Sequence, residues 1–203
     1  MTNLQIQGSA GELEAVYTPA AQSSENPTTA VLCHPHPQYG GNMQDGVIST
    51  CESVLLSHGI NCIRFNFRGV GASAGRFDQG VGEQEDIQSV VAWLRSNHPD
   101  HTLWLAGYSF GSNMAFRCVV ETGLFPEPEK LILIAPPVGM MSFDGALPDQ
   151  IQTIVIAGSA DDFVDASKLA ELDGASASII EGADHFFMGY HEDLATQLSN
   201  LVG

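Results

Sequence analysis

Positive charge is scarce in this chain of 203 residues. Seven lysine and arginine residues stand against 24 aspartate and glutamate residues, so the formal net charge is −17 at pH 7. A protein this acidic repels the phosphate backbone of nucleic acids and the anionic surface of membranes. We therefore expect neither nucleic acid nor a membrane as a partner.

Long hydrophobic runs and targeting signals are also absent from the sequence. No apolar segment approaches the roughly 20 residues that a membrane-spanning helix needs. The N-terminal segment lacks the basic start and apolar stretch of a secretory signal peptide. The four cysteines form no Cys-x-x-Cys pair, which argues against a zinc site or a redox motif. Buried, reduced thiols fit these cysteines best, and the expected location is the cytoplasm.

The chain does contain enough apolar residues for a core, since 44% of the residues are hydrophobic and only 15% are charged. This composition is typical of a folded protein and excludes a charge-rich disordered one. The length suits one domain, predicted to span residues 1–203, because no repeat, low-complexity tract or linker divides the chain.

Short apolar runs alternate along the chain with longer amphipathic ones. The first two runs, 4–7 and 12–17, flank a Gly-Ser-Ala-Gly turn and predict an antiparallel hairpin. The alternation beyond them predicts a parallel sheet covered on both faces, which is an α/β fold built as a three-layer α/β/α sandwich. The further predicted strands are 30–33, 62–67, 103–107, 131–135, 154–157 and 178–180. The predicted helices are 47–57, 84–96, 112–121, 165–172 and 188–201.

The segment Gly107-Tyr108-Ser109-Phe110-Gly111 lies between a predicted strand and a predicted helix. In this context Gly-x-Ser-x-Gly is typical of a nucleophile elbow, a turn so sharp that only glycine fits two residues before and two after the serine. The turn exposes the serine at the edge of the sheet, beside the positive end of a helix. Ser109 is therefore the candidate nucleophile.

A serine hydroxyl needs a base to take its proton, and the base needs a carboxylate to orient it. Asp161 and Asp162 follow the predicted strand 154–157, and His185 follows the predicted strand 178–180. The chain order Ser, Asp, His, with each residue after a different strand, matches the arrangement of the α/β hydrolases.

The chain resembles a small, lidless member of the α/β-hydrolase superfamily, close to the dienelactone-hydrolase-like bacterial proteins. The resemblance covers nearly the whole chain and is based on the elbow and on the blocks 34–43, 65–75 and 182–187. It implies a fold without a lid domain, because too few residues connect the strands where a lid is usually inserted. The family's acid lies in Gly-x-x-Asp-x-x-Val, which here selects Asp161 over Asp162. Dienelactone hydrolases themselves use a cysteine nucleophile, whereas this chain has a serine.

The resemblance also implies an oxyanion hole, in which backbone amides bind the negative oxygen of a tetrahedral intermediate. Phe110, the residue after the nucleophile, supplies one amide. The loop after the strand 30–33 supplies the other, and the two prolines of that loop cannot donate. His36, Gln38 and Tyr39 remain, and His36 or Tyr39 is the expected donor.

The sequence His34-Pro35-His36-Pro37 permits a different interpretation, because two histidines one residue apart form a ligand pair found in metal-dependent hydrolases. No third histidine or acidic ligand follows at a recognisable spacing. We therefore predict no metal site, and we expect no cofactor.

Arginine is rare in this chain, and Arg68 lies in the loop after the strand 62–67. We expect it to pair with nearby acids, while binding of a substrate carboxylate is the minor alternative. The nearby acids are Glu83, Glu85 and Asp86.

Three apolar residues are candidates for contact with the substrate. Met140 and Met141 lie in the connection where a lid is usually inserted, and Phe186 lies next to the candidate base. Their types indicate apolar contacts but do not identify the substrate.

The sequence thus predicts a serine hydrolase that cleaves a carboxylic ester or thioester of a small-molecule acyl substrate. Ser109 attacks the carbonyl, His185 is the general base, and Asp161 orients His185. Two alternatives remain open at this point. One is a non-catalytic binding module on the same fold, and the other is a metal-dependent hydrolase that uses His34 and His36.

Overall fold

Strands and helices alternate along the chain, as the hydrophobic pattern predicts. The computed structural model describes residues 1–22, 26–124, 127–169, 172 and 176–203. The strands are β1 (Thr2–Gly8), β2 (Gly11–Thr18), β3 (Thr28–Cys33), β4 (Asn61–Phe65), β5 (Thr102–Tyr108), β6 (Lys130–Ile134), β7 (Gln152–Gly158) and β8 (Ser176–Ile180). The helices are α1 (Gly46–Ser57), α2 (Gly82–Asn97), α3 (Phe110–Thr122), α4 (Ala166–Leu169) and α5 (His191–Val202).

The eight strands form one sheet in the order β1-β2-β4-β3-β5-β6-β7-β8. β1 and β2 form the predicted antiparallel hairpin, and β2 pairs antiparallel with β4. The remaining neighbours pair in parallel. The central strands β5 and β6 are buried on both faces, which explains why their sequences are continuous apolar runs without polar alternation.

Helices cover both faces of this sheet. α1 packs against α5, and α2 packs against α3. Alternate residues of β5 point to opposite faces, so Leu103 and Leu105 join the apolar cluster under α2 and α3. Trp104 and Ala106 join the cluster under α1 and α5. The three-layer α/β/α fold predicted from the sequence is thereby confirmed.

The ends of α4 and α5 differ most from the prediction, whereas those of the other helices differ by at most two residues. α4 spans only Ala166–Leu169 where the sequence predicts 165–172, and residues 170–171 of that prediction lie outside the described residues. α5 begins at His191, three positions later than predicted. Gly189 has a left-handed φ of 79°, which a right-handed helix cannot include, so the apolar pattern overestimated the length of this helix.

The carboxyl ends of the parallel strands lie at one edge of the sheet, and the loops after β3, β5, β7 and β8 therefore meet there. The connection from β6 to β7, residues 135–151, is described throughout and contains no helix, only an isolated bridge between Val138 and Met141. Within the described ranges, none of the helices combines the length and the apolar character that crossing a membrane requires.

Candidate active site

Ser109 lies at the turn between β5 and α3, in a backbone conformation that the flanking glycines permit. Its φ of 53° and ψ of −120° are rare for a residue with a side chain. A Cβ atom at Gly111 would collide with the carbonyl oxygens of Cys33 and His34, and one at Gly107 would collide with the backbone of Gly111. The sharp turn therefore depends on glycine at both positions, and it leaves Ser109 half-exposed at the end of β5.

Three side chains from three loops form a continuous chain of hydrogen bonds. Ser109 follows β5, Asp161 follows β7 and His185 follows β8. His185 Nε2 lies 2.8 Å from Ser109 Oγ, and His185 Nδ1 lies 2.8 Å from Asp161 Oδ2. A carboxylate can only accept, so Nδ1 carries the ring proton and Nε2 accepts from the serine hydroxyl. The residues predicted as nucleophile and acid are thus both hydrogen-bonded to the residue predicted as base.

The two adjacent aspartates differ in their surroundings. Asp161 is buried, whereas Asp162 is exposed. Asp161 Oδ1 accepts from the amide of Phe163 at 2.8 Å, so both oxygens of this carboxylate are engaged. The amide of Ala160 donates to the carbonyl of Ala183 at 3.0 Å, which ties the loop of the acid to the loop of the histidine. The geometry agrees with the choice of Asp161.

Tyr108 and Asp184 hold the loop that contains His185. The Tyr108 hydroxyl donates to the carbonyl of His185 at 3.0 Å. Burial, and then nearby carboxylates, raise the pKa of Tyr108, so its hydroxyl keeps the proton that it donates. Asp184 Oδ1 accepts from the amides of Phe186 and Met188 at 3.1 and 3.0 Å and closes the turn.

The loop after β3 contains a short 3₁₀-helix, Pro37–Tyr39. The backbone amides of this loop differ in whether they already donate a hydrogen bond. The Tyr39 amide donates to the carbonyl of His36 at 3.1 Å, and the Gln38 amide donates to His36 Nδ1 at 3.2 Å. Among the hydrogen bonds of the described residues, none uses the His36 amide. Phe110 is the first residue of α3, so its amide has no partner within the helix. The amides of His36 and Phe110 are therefore available to a ligand.

His34 is fully buried and binds backbone with both ring nitrogens. Nδ1 lies 2.6 Å from the carbonyl oxygen of Pro35, and Nε2 accepts from the amide of Phe67 at 3.0 Å. Neither nitrogen is left for a metal ion, so the His34–His36 ligand pair of the metal-dependent alternative does not form. In the part of the chain that is described, no group of three or more histidine, cysteine or acidic side chains could hold a metal.

The burial of His34 makes the stability of the fold depend on pH. Burial lowers the pKa of His34 from 6.5 to about 4. Between these values the unfolded chain binds a proton that the folded chain does not. The free energy of unfolding is therefore highest above pH 6.5, and it falls by about 3 kcal/mol as the pH drops toward 4. Urea unfolding at pH 7 and pH 4.5 should show a smaller loss in His34→Gln than in the wild type, and equal losses would contradict this assignment.

Arg68 is buried against two acids of α2. Its Nε lies 3.1 Å from both oxygens of Asp86, and its Nη2 lies 2.8 Å from Asp86 Oδ1 and 3.3 Å from Glu85 Oε2. Nη2 also donates to Ser9 Oγ at 2.9 Å. The predicted pairing with local acids is confirmed for these two, whereas Glu83 accepts from two backbone amides. Because Nε and Nη2 donate to groups of the protein itself, the structure favours this pairing over the alternative role in binding a substrate carboxylate.

The three candidate substrate residues lie in two places. Phe186 is 58% exposed and packs edge-on against the His185 ring, with the ring centroids 5.5 Å apart. Met140 and Met141 line a separate cavity of about 360 Å³ between the loops after β6 and β7. The residues described as lining this cavity include no member of the Ser109, Asp161 and His185 group. Phe186 thus contacts the site directly, and the two methionines border a neighbouring cavity.

Two residues that contact the site were missed in the sequence. The Phe163 ring lies 4.6 Å from the His185 ring, and Tyr108 holds the backbone of His185 as described above. Their positions in the sequence could have identified both, because Tyr108 directly precedes the nucleophile and Phe163 follows Asp161 by two residues. Their contacts with the histidine loop join residues far apart in the chain, which spacing alone does not reveal.

Comparisons with known proteins agree with the fold. The family model of the alpha/beta hydrolase fold matches residues 31–161. A Xanthomonas campestris protein described as an a/b serine hydrolase without lid is 37% identical, with a TM-score of 0.91 over 99% of this chain and 93% of that chain. An alpha-beta serine hydrolase homologue from Coxiella burnetii is 32% identical, with a TM-score of 0.89 over 100% and 97% of the two chains. An uncharacterized protein of Rickettsia prowazekii is 32% identical over 100% of this chain and 89% of its own length. The chain therefore belongs to the alpha/beta hydrolase fold family.

Proposed function

We propose that the protein is a serine hydrolase that cleaves a carboxylic ester or thioester of a small-molecule substrate through an acyl-enzyme. Family membership supports hydrolase chemistry in general. The observation that carries the finer proposal is the pair of 2.8 Å contacts that link Ser109 to His185 and His185 to Asp161. This arrangement activates a serine hydroxyl as a nucleophile.

The proposed reaction has two halves that use the same groups. His185 Nε2 takes the hydroxyl proton as Ser109 Oγ attacks the acyl carbonyl, and Asp161 stabilises the imidazolium that forms. His185 then gives the proton to the leaving oxygen or sulfur, and an ester links the acyl group to Ser109. Water attacks this ester in the second half, with His185 again acting as base and then as acid. These steps need no cofactor.

The negative oxygen of each tetrahedral intermediate is bound by the amides of Phe110 and His36 in this proposal. The sequence left His36 and Tyr39 as equal candidates for the second amide. The Tyr39 amide already donates to the carbonyl of His36 at 3.1 Å, which favours His36. Such amides stabilise the transition state more than the substrate, because the charge develops only during the reaction.

The side chain of His36 should fix the position of its own amide. Its Nδ1 accepts from the Gln38 amide, and its ring lies 4.7–4.9 Å from the rings of Tyr39, Phe77 and Phe110. His36→Ala removes the acceptor and the packing, and a shift of the amide by about 1 Å costs on the order of 100-fold in kcat. We expect kcat to fall by that order with little change in KM.

The matched variant is His36→Asn, whose side-chain oxygen can accept the same hydrogen bond. Partial recovery of kcat in His36→Asn, measured by steady-state kinetics, would agree with a positioning role. Equal kcat values in the wild type and His36→Ala would contradict it.

Hydrolysis of a soluble short-chain ester tests the proposed function. The value of kcat/KM should be lower at pH 5 than at pH 9, because a general base must be unprotonated to accept the hydroxyl proton. The chelator EDTA should leave the whole profile unchanged. A profile that is flat across the range of histidine titration would remove His185 as the base, and loss of activity in EDTA would restore the metal-dependent alternative.

A further inference from the structure

Two phenylalanine rings that contact His185 remain open to solvent. Phe163 is 38% exposed with its ring 4.6 Å from that of His185, and Phe186 is 58% exposed at 5.5 Å. The two rings meet the imidazole at different angles, 49° for Phe163 and 86° for Phe186. The imidazole is therefore flanked by two apolar rings, each with a free surface.

Exposed apolar side chains are concentrated in loops at the edge of the sheet that carries the candidate active site. Eight large hydrophobic residues of the described chain are exposed, and five of them lie in the loops after β3, β6, β7 and β8. These five are Tyr39, Met140, Phe163, Phe186 and Met188. The other three are Met1, Val81 and Ile179. Apolar surface that stays exposed in one region typically marks a place where a ligand binds.

The chemistry of the proposed function indicates which part of an ester meets these rings. His185 Nε2 must reach the leaving oxygen to protonate it, so the alcohol portion attached to that oxygen lies beside His185. The groups that flank His185 therefore border the alcohol portion. Building on the proposed function, we infer that Phe163 and Phe186 form the subsite for the leaving group, and that it accepts esters of apolar or aromatic alcohols.

A purely structural role for the two rings is the competing explanation. His185 is already held by Asp161 at Nδ1 and by the Tyr108 hydroxyl at its carbonyl oxygen. The exposed faces of Phe163 and Phe186 are what a bound alcohol group would cover.

The experiment compares two acetate esters that share the acyl group and differ in the alcohol. Methyl acetate has no group for the subsite, whereas 2-phenylethyl acetate places a ring there, and both leaving groups are primary alkoxides. A good contact between two aromatic rings changes an equilibrium or rate constant by up to about tenfold. For the wild type we expect kcat/KM for 2-phenylethyl acetate to exceed that for methyl acetate by about tenfold.

Variants then assign this selectivity to the two rings. Phe163→Ala and Phe186→Ala should each lower the ratio of the two kcat/KM values several-fold, and Phe186→Leu should lower it less because leucine keeps part of the apolar surface. A ring that merely positions His185 would affect both esters alike and leave the ratio unchanged. Val81→Ala is the control, because Val81 is 61% exposed but directly precedes α2, on a different loop from those of Ser109, Asp161 and His185.

The outcomes separate this inference from the proposed function. If the wild type hydrolyses both esters with a ratio near one, or if the alanine variants keep the wild-type ratio, the subsite is wrong and the serine hydrolase proposal stands. If the wild type hydrolyses neither these esters nor the soluble short-chain ester used to test the function, both are overturned. A high ratio that falls in both alanine variants and not in Val81→Ala would support the subsite.

Discussion

Ser109→Ala is expected to abolish ester hydrolysis while the protein stays folded. In comparable enzymes the loss of the serine lowers kcat on the order of 10⁶-fold, because nucleophile, base and acid act as one unit. Alanine also fits the turn as well as serine does, because both have only a small side chain on the backbone at a φ of 53°. The measurement is kcat for an activated ester, with circular dichroism to verify the fold.

Ser96→Ala is a matched control for this experiment, because Ser96 is an exposed serine near the end of α2, which precedes β5, whereas the elbow follows β5. It should retain the wild-type kcat. Retention of more than a tenth of the wild-type activity in Ser109→Ala would show that another group is the nucleophile.

The second large effect is expected at Asp161. Asp161→Asn replaces an acceptor by an amide that can donate to Nδ1, which stabilises the imidazole tautomer with the proton on Nε2. That tautomer cannot take the proton of Ser109, and the expected loss in kcat is on the order of 10⁴-fold. Steady-state kinetics on a soluble ester measures the loss directly.

The adjacent residue provides the control for this substitution. Asp162 is exposed and makes none of the contacts that bind Asp161 to His185 and to the amide of Phe163. Asp162→Asn carries the same change in charge and should retain nearly full activity. If the large loss appeared in Asp162→Asn instead, the assignment of the acid would be off by one residue.

Steric requirements and buried apolar runs made much of this structure predictable from sequence. The strands of the parallel sheet were recognisable because a strand buried on both faces is a continuous apolar run. The elbow was recognisable because the backbone leaves no room for a side chain at Gly107 and Gly111. Ser109 and His185 could be placed relative to each other because the loops after parallel strands share one edge of the sheet.

The features that sequence reasoning did not resolve depend on contacts between distant residues. In the sequence, His34 resembles one half of a metal-ligand pair. The structure shows that both ring nitrogens are hydrogen-bonded to the backbone, at the carbonyl of Pro35 and the amide of Phe67. The choice between His36 and Tyr39 depends on which of the two amides already donates a hydrogen bond within the loop, and the Tyr39 amide does. The start of α5 was missed because the apolar pattern continues through the turn that ends at Gly189.

Labelling with a fluorophosphonate tests the central claim most directly, because this reagent phosphonylates a serine that a neighbouring base has activated. Intact mass spectrometry and peptide mapping in the presence of EDTA should show one phosphonyl group per chain, attached to Ser109, and none on Ser109→Ala. An unlabelled wild-type protein, or a label on any other residue, would contradict the assignment of Ser109 as an activated nucleophile.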